Sequence, residues 1–114
     1  MPNQYRKGAS FENKVKDILL EDDWMAIRSA GSHSILDIMA DKYGQVWFLQ
    51  CRTNGNLSGK ERIELIALAK KHKAVPILAY KKKGDTIFEE VKLLKPDFHY
   101  EVVNNGRFTK VDNQ

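Results

Sequence analysis

Residues 35–52 read ILDIMADKYGQVWFLQCR, and this stretch decides the fold. Its most apolar part, residues 46–49, is typical of a strand that is covered on both faces of a sheet. Residues 41–44, with the sequence DKYG, form a turn signal. We therefore predict a hairpin in which a short strand over 35–40 is followed by a stronger strand over 45–52 that folds back beside it.

A helix is predicted ahead of this hairpin, over residues 9–22. Its apolar residues recur at the spacing of one helix face, and polar residues cover the other faces; the apolar set is Phe11, Val15, Ile18 and Leu19. A first strand over 24–29 and a polar loop over 30–34 would join this helix to the hairpin.

A second helix is predicted after the hairpin, over residues 59–72, beyond a polar loop over 53–59. Ser58 and Glu61 match a capping box, in which each side chain accepts a hydrogen bond from the other residue's backbone amide. Apolar residues cover most of the circumference of this helix, which indicates packing on two sides. They are Ile63, Leu65, Ile66, Ala67, Leu68 and Ala69.

The remaining residues are predicted to be strands. Residues 74–80 and 86–91 flank a basic turn over 81–85, and residues 98–103 and 107–111 form a hairpin around 104–106. The order of elements is therefore one helix, three strands, a second helix, two strands and a terminal hairpin. This order predicts an α/β fold with a central mixed β-sheet flanked by helices.

The bulk composition limits the class of protein. A chain of 114 residues with 42% hydrophobic and 30% charged residues is typical of one compact globular domain. The net charge of +4 suits a phosphate-rich partner without establishing one. Cys51 is alone, so no intrachain disulfide is available, and a buried thiol is favoured over a reactive one. With no signal-peptide or membrane-helix pattern, we expect a cytoplasmic protein.

Three polar residues interrupt otherwise apolar patterns: Glu12, Asp37 and Gln50. The predicted hairpin brings Asp37 near Gln50, and alternation along a strand points residues 50 and 52 to the same side. A buried carboxylate needs a partner, and divalent metal ions with oxygen ligands are one such partner. A metal ion and a nearby cation such as Arg52 are the groups that phosphodiester hydrolysis requires.

Each of these residues also has a structural interpretation. Glu12 could complement the positive end of a helix dipole. Asp37 could belong to a turn or an edge strand, Gln50 could be hydrogen-bonded to backbone, and Arg52 could be solvated. The combination is more informative than any single member.

Two segments carry a resemblance to a known family. Residues 6–12, which run from Arg-Lys-Gly to Glu12, and residues 28–37, which begin Arg-Ser-Ala-Gly-Ser-His-Ser and end at Asp37, resemble the archaeal-type Holliday junction resolvases. These belong to the PD-(D/E)xK nuclease superfamily. The resemblance implies a restriction-endonuclease-like core over about residues 5–91 and a C-terminal extension over about 92–114, within a single domain spanning 1–114.

The same resemblance implies an activity. Members of this family are homodimers with two active sites, use Mg²⁺ or Mn²⁺, and make paired nicks across four-way DNA during recombination and repair. The catalytic positions would be Glu12, Ser32, Asp37, Gln50 and Arg52. The metal ligands would be Glu12, Asp37, Gln50 and the backbone carbonyl of Cys51, and the DNA contacts Arg6, Lys7, Arg28, Ser32, His33 and Lys60.

Two positions depart from the family pattern. Gln50 stands where the family usually has glutamate, and Arg52 where it has lysine. The amide oxygen of glutamine can still bind Mg²⁺, but it adds no charge. The first interpretation is therefore a structure-selective endonuclease, the second a non-cleaving module that binds branched DNA, and the third a glutamine introduced to inactivate the enzyme.

Overall fold

The computed structural model describes residues 3–29, 35–94, 96, 98–103 and 107–113, with side chains from Ser10 onward. Two helices and seven strands lie within these ranges. They are α1 (Asn3–Glu21), β1 (Met25–Arg28), β2 (Ile38–Lys42), β3 (Gln45–Cys51), α2 (Gly59–Lys71), β4 (Val75–Lys82), β5 (Asp85–Glu90), β6 (Phe98–Val102) and β7 (Thr109–Asp112).

The described strands form one mixed sheet whose spatial order is the order of the chain. Strands β1, β2 and β3 pair antiparallel, and so do β4, β5, β6 and β7. Strands β3 and β4 pair parallel, because α2 carries the chain back across the sheet between them. The predicted α/β fold with a mixed sheet flanked by helices is confirmed.

Helix α1 covers one face of the sheet. Its apolar stripe, led by Phe11 and Leu19, packs on residues of β1, β2 and β3 that point to this face. Trp47 stands at the centre of an aromatic cluster on the same face, with its ring 4.3 Å from Trp24 and 6.1 Å from Phe88, measured between centroids. Large rings of this kind account for much of the apolar area that a small core buries.

Helix α2 covers the opposite face. Leu65 and Ala69 pack on Phe48 and Leu78 from the centre of the sheet. The capping box at the start of α2 is present in full, since Ser58 Oγ accepts from Glu61 N and Glu61 Oε1 accepts from Ser58 N. Strand β3 is thus covered on both faces, as its apolar run predicts.

The turns are tighter than the sequence pattern indicates. Tyr43 and Gly44 have φ values of 52° and 90°, the pair of positive angles that a two-residue hairpin turn requires. The turn predicted from residues 41–44 is confirmed at Tyr43 and Gly44, whereas Asp41 and Lys42 belong to β2. The same applies to the basic turn, which is reduced to Lys83 and Gly84.

Two other boundaries differ from the prediction. Helix α1 begins at Asn3 instead of residue 9, because the polar segment before Ala9 carries no apolar periodicity by which a helix could be recognised. Strand β2 begins at Ile38, so Asp37 precedes the strand instead of interrupting it. No helix within the described ranges combines the length and hydropathy needed to cross a membrane.

Candidate active site

Asp37 lies where three strands converge, one residue before β2. Its backbone N–H donates to Leu49 O at 2.9 Å, and its backbone carbonyl accepts from Ser29 N, just after β1, at 2.8 Å. Its side-chain Oδ2 accepts from Cys51 N at 2.8 Å. Asp37 is therefore bonded to the residues on either side of Gln50, so the carboxylate is held at the end of β3.

The surroundings of Asp37 disfavour its negative charge. Burial is the main cause that raises the pKa of Asp37 from 3.8 to about 6, and the negative charge of Glu12 raises it further. The Cys51 N–H and the charges of Arg52 and Arg28 act in the opposite direction. An additional cation placed beside this carboxyl group would stabilise its ionised form.

Gln50 is buried in the sheet, with 7% of its surface exposed. Its side-chain oxygen, Oε1, has no hydrogen-bond partner among the described residues. A buried acceptor without a partner costs about 1–3 kcal/mol, so such atoms are rare and need an explanation. The interpretation in which backbone groups satisfy Gln50 is not supported for this oxygen.

Glu12 lies in the middle of α1, because the helix begins at Asn3. The interpretation in which Glu12 complements a helix N-terminus is therefore wrong, since that effect is confined to the first turn. Its carboxylate pairs with Arg28 Nη2 at 3.0 Å, and Arg28 Nη1 donates to Asn13 Oδ1 at 3.2 Å. Arg28, expected to contact DNA, thus also fixes Glu12 on the α1 side of the sheet.

Arg52 follows β3, and its backbone N–H donates to Ala79 O of β4 at 2.9 Å. Its guanidinium forms an ion pair with Glu61 Oε2 in the first turn of α2. The interpretation of Arg52 as a merely solvated side chain is wrong. Glu61 was not recognised from the sequence as the partner of Arg52. The capping box explains only Glu61 Oε1, and no sequence pattern indicates what the second oxygen, Oε2, contacts.

The candidate residues lie on two faces of the same sheet end. Alternation along β3 places the side chain of Cys51 with the α1 core, whereas Arg52 reaches α2. Among the described residues, no hydrogen bond or ion pair joins Glu12 to Gln50. Asp37 connects the two groups of residues, because the charges of Glu12 and Arg28 on the α1 side and of Arg52 on the α2 side all act on its carboxyl group.

Cys51 is a free, buried cysteine, as predicted, and burial raises the pKa of its thiol. That protonated thiol is a poor nucleophile.

The candidate DNA-binding residues are only partly described. Lys60 is exposed in the first turn of α2, and the side chains of Lys81, Lys82 and Lys83 are exposed at the end of β4 and in the turn to β5. Ser32 and His33 and the side chains of Arg6 and Lys7 lie outside the described residues.

The donor set at this sheet end is poor in carboxylates. Within the described ranges, no three His, Cys, Asp or Glu side chains are grouped so as to hold a metal ion. Two acids, Glu12 and Asp37, act on one another there, and the third position is the neutral amide of Gln50. An ion at this place would therefore be held by fewer charges than three carboxylates provide.

A comparison with protein families gives a match over nearly the whole chain. The family described as archaeal Holliday junction resolvase (Hjc) matches residues 3–113. This range includes both helices and all the described strands.

Individual proteins agree with the family match. The chain is 33% identical, over 133 aligned positions, to a crossover junction endodeoxyribonuclease Hjc of Methanocaldococcus jannaschii, and the alignment covers 99% of this chain and 98% of that protein. Its fold is similar to the solved structure of Hjc from Archaeoglobus fulgidus, a Holliday junction resolvase, with a TM-score of 0.69 and 23% identity. The match covers 93% of this chain and 88% of the other.

Proposed function

The chain belongs to the archaeal Holliday junction resolvase family, and we propose that it cleaves four-way DNA junctions through the site at Asp37 and Gln50. It is an endonuclease selective for branched DNA. The single observation that carries the site assignment is that Asp37, whose carboxyl group is desolvated, is hydrogen-bonded to both chain neighbours of Gln50, whose buried side-chain oxygen has no partner among the described residues.

The residues at this site fit a divalent metal ion. Gln50 Oε1 is a buried acceptor without a described donor, and Asp37 is a carboxyl group whose raised pKa a cation would lower. Oxygen ligands of this kind suit hard cations, so the proposed ligands are Asp37, Gln50, Glu12 and the backbone carbonyl of Cys51, with Mg²⁺ or Mn²⁺ as the ion. When bound, such an ion supplies an activated water molecule and offsets negative charge on the phosphate.

The side chains of this chain then have separate roles. Asp37 must be ionised to bind the ion; its pKa of about 6 applies to the metal-free protein, and a bound cation would lower it. The bond from Cys51 N holds the carboxylate in one orientation. Arg52 is a permanent cation that cannot act as a base at neutral pH, so its role is to stabilise negative charge on the scissile phosphate. Arg28 holds the carboxylate of Glu12 through their ion pair.

DNA affinity is proposed to come mainly from contacts to phosphates. The candidate cations are Arg6, Lys7, Arg28 and Lys60. Ser32 and His33, in the segment predicted from the sequence to be a loop, are the candidate groups for close approach to the backbone of the junction. The net charge of +4 favours this partner. Such contacts position the DNA without reading its sequence.

The active form is proposed to be a homodimer, because a four-way junction has two-fold symmetry and paired nicks need two sites. The candidate interface is an apolar face, which we call the α2 face, made of Ile63, Ile66, Ala67, Leu93 and Leu94. Ile63 is 59% exposed, and Leu93 and Leu94 are exposed beside Ile66. A contiguous exposed apolar patch is a feature of protein–protein interaction sites.

A non-cleaving junction-binding module is the second candidate. It is favoured by the neutral side chain at position 50 and by the engagement of Arg52 with Glu61, which together reduce the charge available for catalysis. The cleavage experiment described next separates this function from junction cleavage.

The test is incubation of a labelled synthetic four-way junction with the protein, with and without Mg²⁺. We expect symmetric nicks that require the metal ion. Asp37→Asn should abolish nicking while leaving the junction Kd within about twofold, since phosphate contacts supply most of the affinity. Asp17→Asn, an exposed position of α1, is the matched control and should nick normally.

Other outcomes are equally specific. Binding without nicks at any metal concentration supports the non-cleaving module. Unchanged nicking by Asp37→Asn removes Asp37 from the site.

A further inference from the structure

Arg52 directly follows the end of β3, its side chain reaches the α2 side, and two contacts restrain the residue. Its backbone is fixed by the hydrogen bond to Ala79 O, which extends the parallel pairing of β3 and β4 by one residue. Its guanidinium is held by Glu61 Oε2, and both side chains are about one third exposed. The direction of the guanidinium therefore depends on where Glu61 lies.

Glu61 is itself restrained. Its second oxygen, Oε1, accepts from Ser58 N at 3.0 Å, while its own N–H donates to Ser58 Oγ at 3.1 Å. Hydrogen bonding to Ser58 N–H is the main cause that lowers the pKa of Glu61, and Arg52 lowers it further. Glu61 is thus a fixed, ionised carboxylate that joins the first turn of α2 to the end of β3.

The two arginines whose charges act on Asp37, Arg28 and Arg52, have different anionic partners. Arg28 is paired with Glu12, on the α1 side. On the α2 side, Arg52 has no carboxylate two residues before it in β3, since position 50 is glutamine. The anionic partner of Arg52 comes instead from another element, nine residues further along the chain.

We propose that Glu61 is a positioning residue, which supplies from α2 the carboxylate that β3 lacks at position 50 and holds the Arg52 guanidinium beside the reacting phosphate. The inference rests on the proposed function, because Arg52 needs a phosphate on which to act. It also explains arginine at position 52, since a planar fork with several donors can bind a carboxylate through one nitrogen and leave others free.

The first test uses Glu61→Gln, which keeps an oxygen for Ser58 N and so retains the capping box while removing the charge. We expect the nicking rate at saturating junction to fall on the order of 10- to 100-fold, as for other catalytic groups that lose their position. The junction Kd should stay within about twofold. Glu64→Gln, an exposed glutamate three residues along α2, is the matched control and should behave like the wild type.

A double-mutant comparison separates positioning from a general effect on stability. If Glu61 acts through Arg52, Glu61→Gln should cause no further loss of rate in an Arg52→Ala background. An equal loss of rate in both backgrounds, or wild-type rates for Glu61→Gln alone, would overturn the proposal. Thermal melting of each variant checks that it is folded.

A readout without DNA or metal keeps this inference separate from the proposed function. In NMR spectra of the free protein, the Nη2 hydrogens of Arg52, which donate to Glu61, should exchange slowly in the wild type and in Glu64→Gln, and rapidly in Glu61→Gln. Equal exchange in all three proteins would show that Glu61 does not hold Arg52. If the wild type fails to nick junctions while the exchange difference is present, the proposed function fails and the ion pair has a structural role only, which also overturns the positioning role.

Discussion

At the scale of single residues, the unusual feature is a desolvated carboxyl group and a buried, unpartnered amide oxygen at the same end of β3. Asp37 accepts one described hydrogen bond at its carboxylate, and Gln50 Oε1 accepts none. Both groups cost folding free energy, because water would solvate them better than the sheet does. Such costs concentrate where a fold is shaped for chemistry, and a cation shared by both oxygens would offset them.

The raised pKa of Asp37 predicts how stability depends on pH. The folded state holds the Asp37 proton more tightly than the unfolded state, so this contribution is full below about pH 3.8 and is lost as pH rises through about 6. Asn at position 37 cannot ionise. Without metal, Asp37→Asn should therefore be more stable than the wild type at pH 8, by about 1–3 kcal/mol, and similar to it near pH 3.5.

The measurement is denaturant unfolding in the presence of a chelator at both pH values. A stability difference that is the same at pH 3.5 and pH 8 would contradict the desolvation of Asp37.

The neutral amide of Gln50 predicts a weak metal site. We expect nicking to need Mg²⁺ in roughly the millimolar range, and Gln50→Glu to lower the half-maximal concentration on the order of tenfold, since ligand charge tunes the affinity of such sites. The same substitution should enlarge the increase in Tm that Mg²⁺ produces. Gln45→Glu, at the exposed start of the same strand, is the control.

If Gln50→Glu changes neither the metal requirement nor the Mg²⁺-dependent Tm, Gln50 is not a ligand. The site would then rest on Glu12 and Asp37. Cutting that appears only in Gln50→Glu would favour the non-cleaving module for the natural sequence.

At the scale of elements, α2 serves two surfaces. Leu65 and Ala69 are buried against the sheet, so they are not available to a partner. Ile63 and Ala67 point away from the sheet, and Arg62 Nη1 donates to Lys92 O at 3.4 Å, which keeps the segment bearing Leu93 and Leu94 beside the helix. The predicted packing on two sides is thus observed on one side, and the α2 face is the proposed second side.

The α2 face predicts the effect of a charge at its centre. Ile63→Asp should convert the proposed dimer to a monomer at micromolar concentration, because a desolvated carboxylate without a partner opposes association. Ile27→Asp places the same charge on the exposed side of β1, where Ile27 is 61% exposed, and should leave the dimer intact. Sedimentation equilibrium measures both.

A wild-type protein that sediments as a monomer contradicts the homodimer. Dissociation by Ile27→Asp instead of Ile63→Asp moves the interface to β1, an edge strand of the sheet.

At the scale of the whole molecule, a mixed sheet covered by a helix on each face leaves the candidate site at one end of β2 and β3. Basic side chains are exposed on the surface instead of being gathered in a pocket; they include Lys60 of α2, Lys81 and Lys82 at the end of β4, and Lys83 in the turn that follows. A surface of this kind binds an extended polyanion through many weak contacts.

This surface predicts a steep dependence of junction binding on salt. With about four phosphate contacts, the affinity should fall about 100-fold between 50 and 200 mM salt. Gel-shift competition with a linear duplex of the same sequence measures selectivity in parallel. Equal affinity for the junction and the duplex at moderate salt would contradict recognition of branched structure.

The sequence by itself determined what depends on neighbours along the chain. The apolar run at 46–49, the Tyr43–Gly44 turn signal and the Ser58–Glu61 capping box predict a hairpin, a helix start and a mixed sheet, and the structure confirms them. The sequence also singled out Glu12, Asp37 and Gln50 as polar residues within apolar patterns. Periodicity, turn geometry and capping act over a few residues, which is why they can be recognised in sequence alone.

Only the tertiary structure decided how these residues are partnered. It placed Glu12 in mid-helix with Arg28, joined Arg52 to Glu61, bonded Asp37 to both neighbours of Gln50, and left Gln50 Oε1 without a described donor. The pKa of Asp37 follows from the same packing, since desolvation depends on the helices and strands that surround the group. Ion pairs and burial join residues distant in sequence, so local patterns do not contain them.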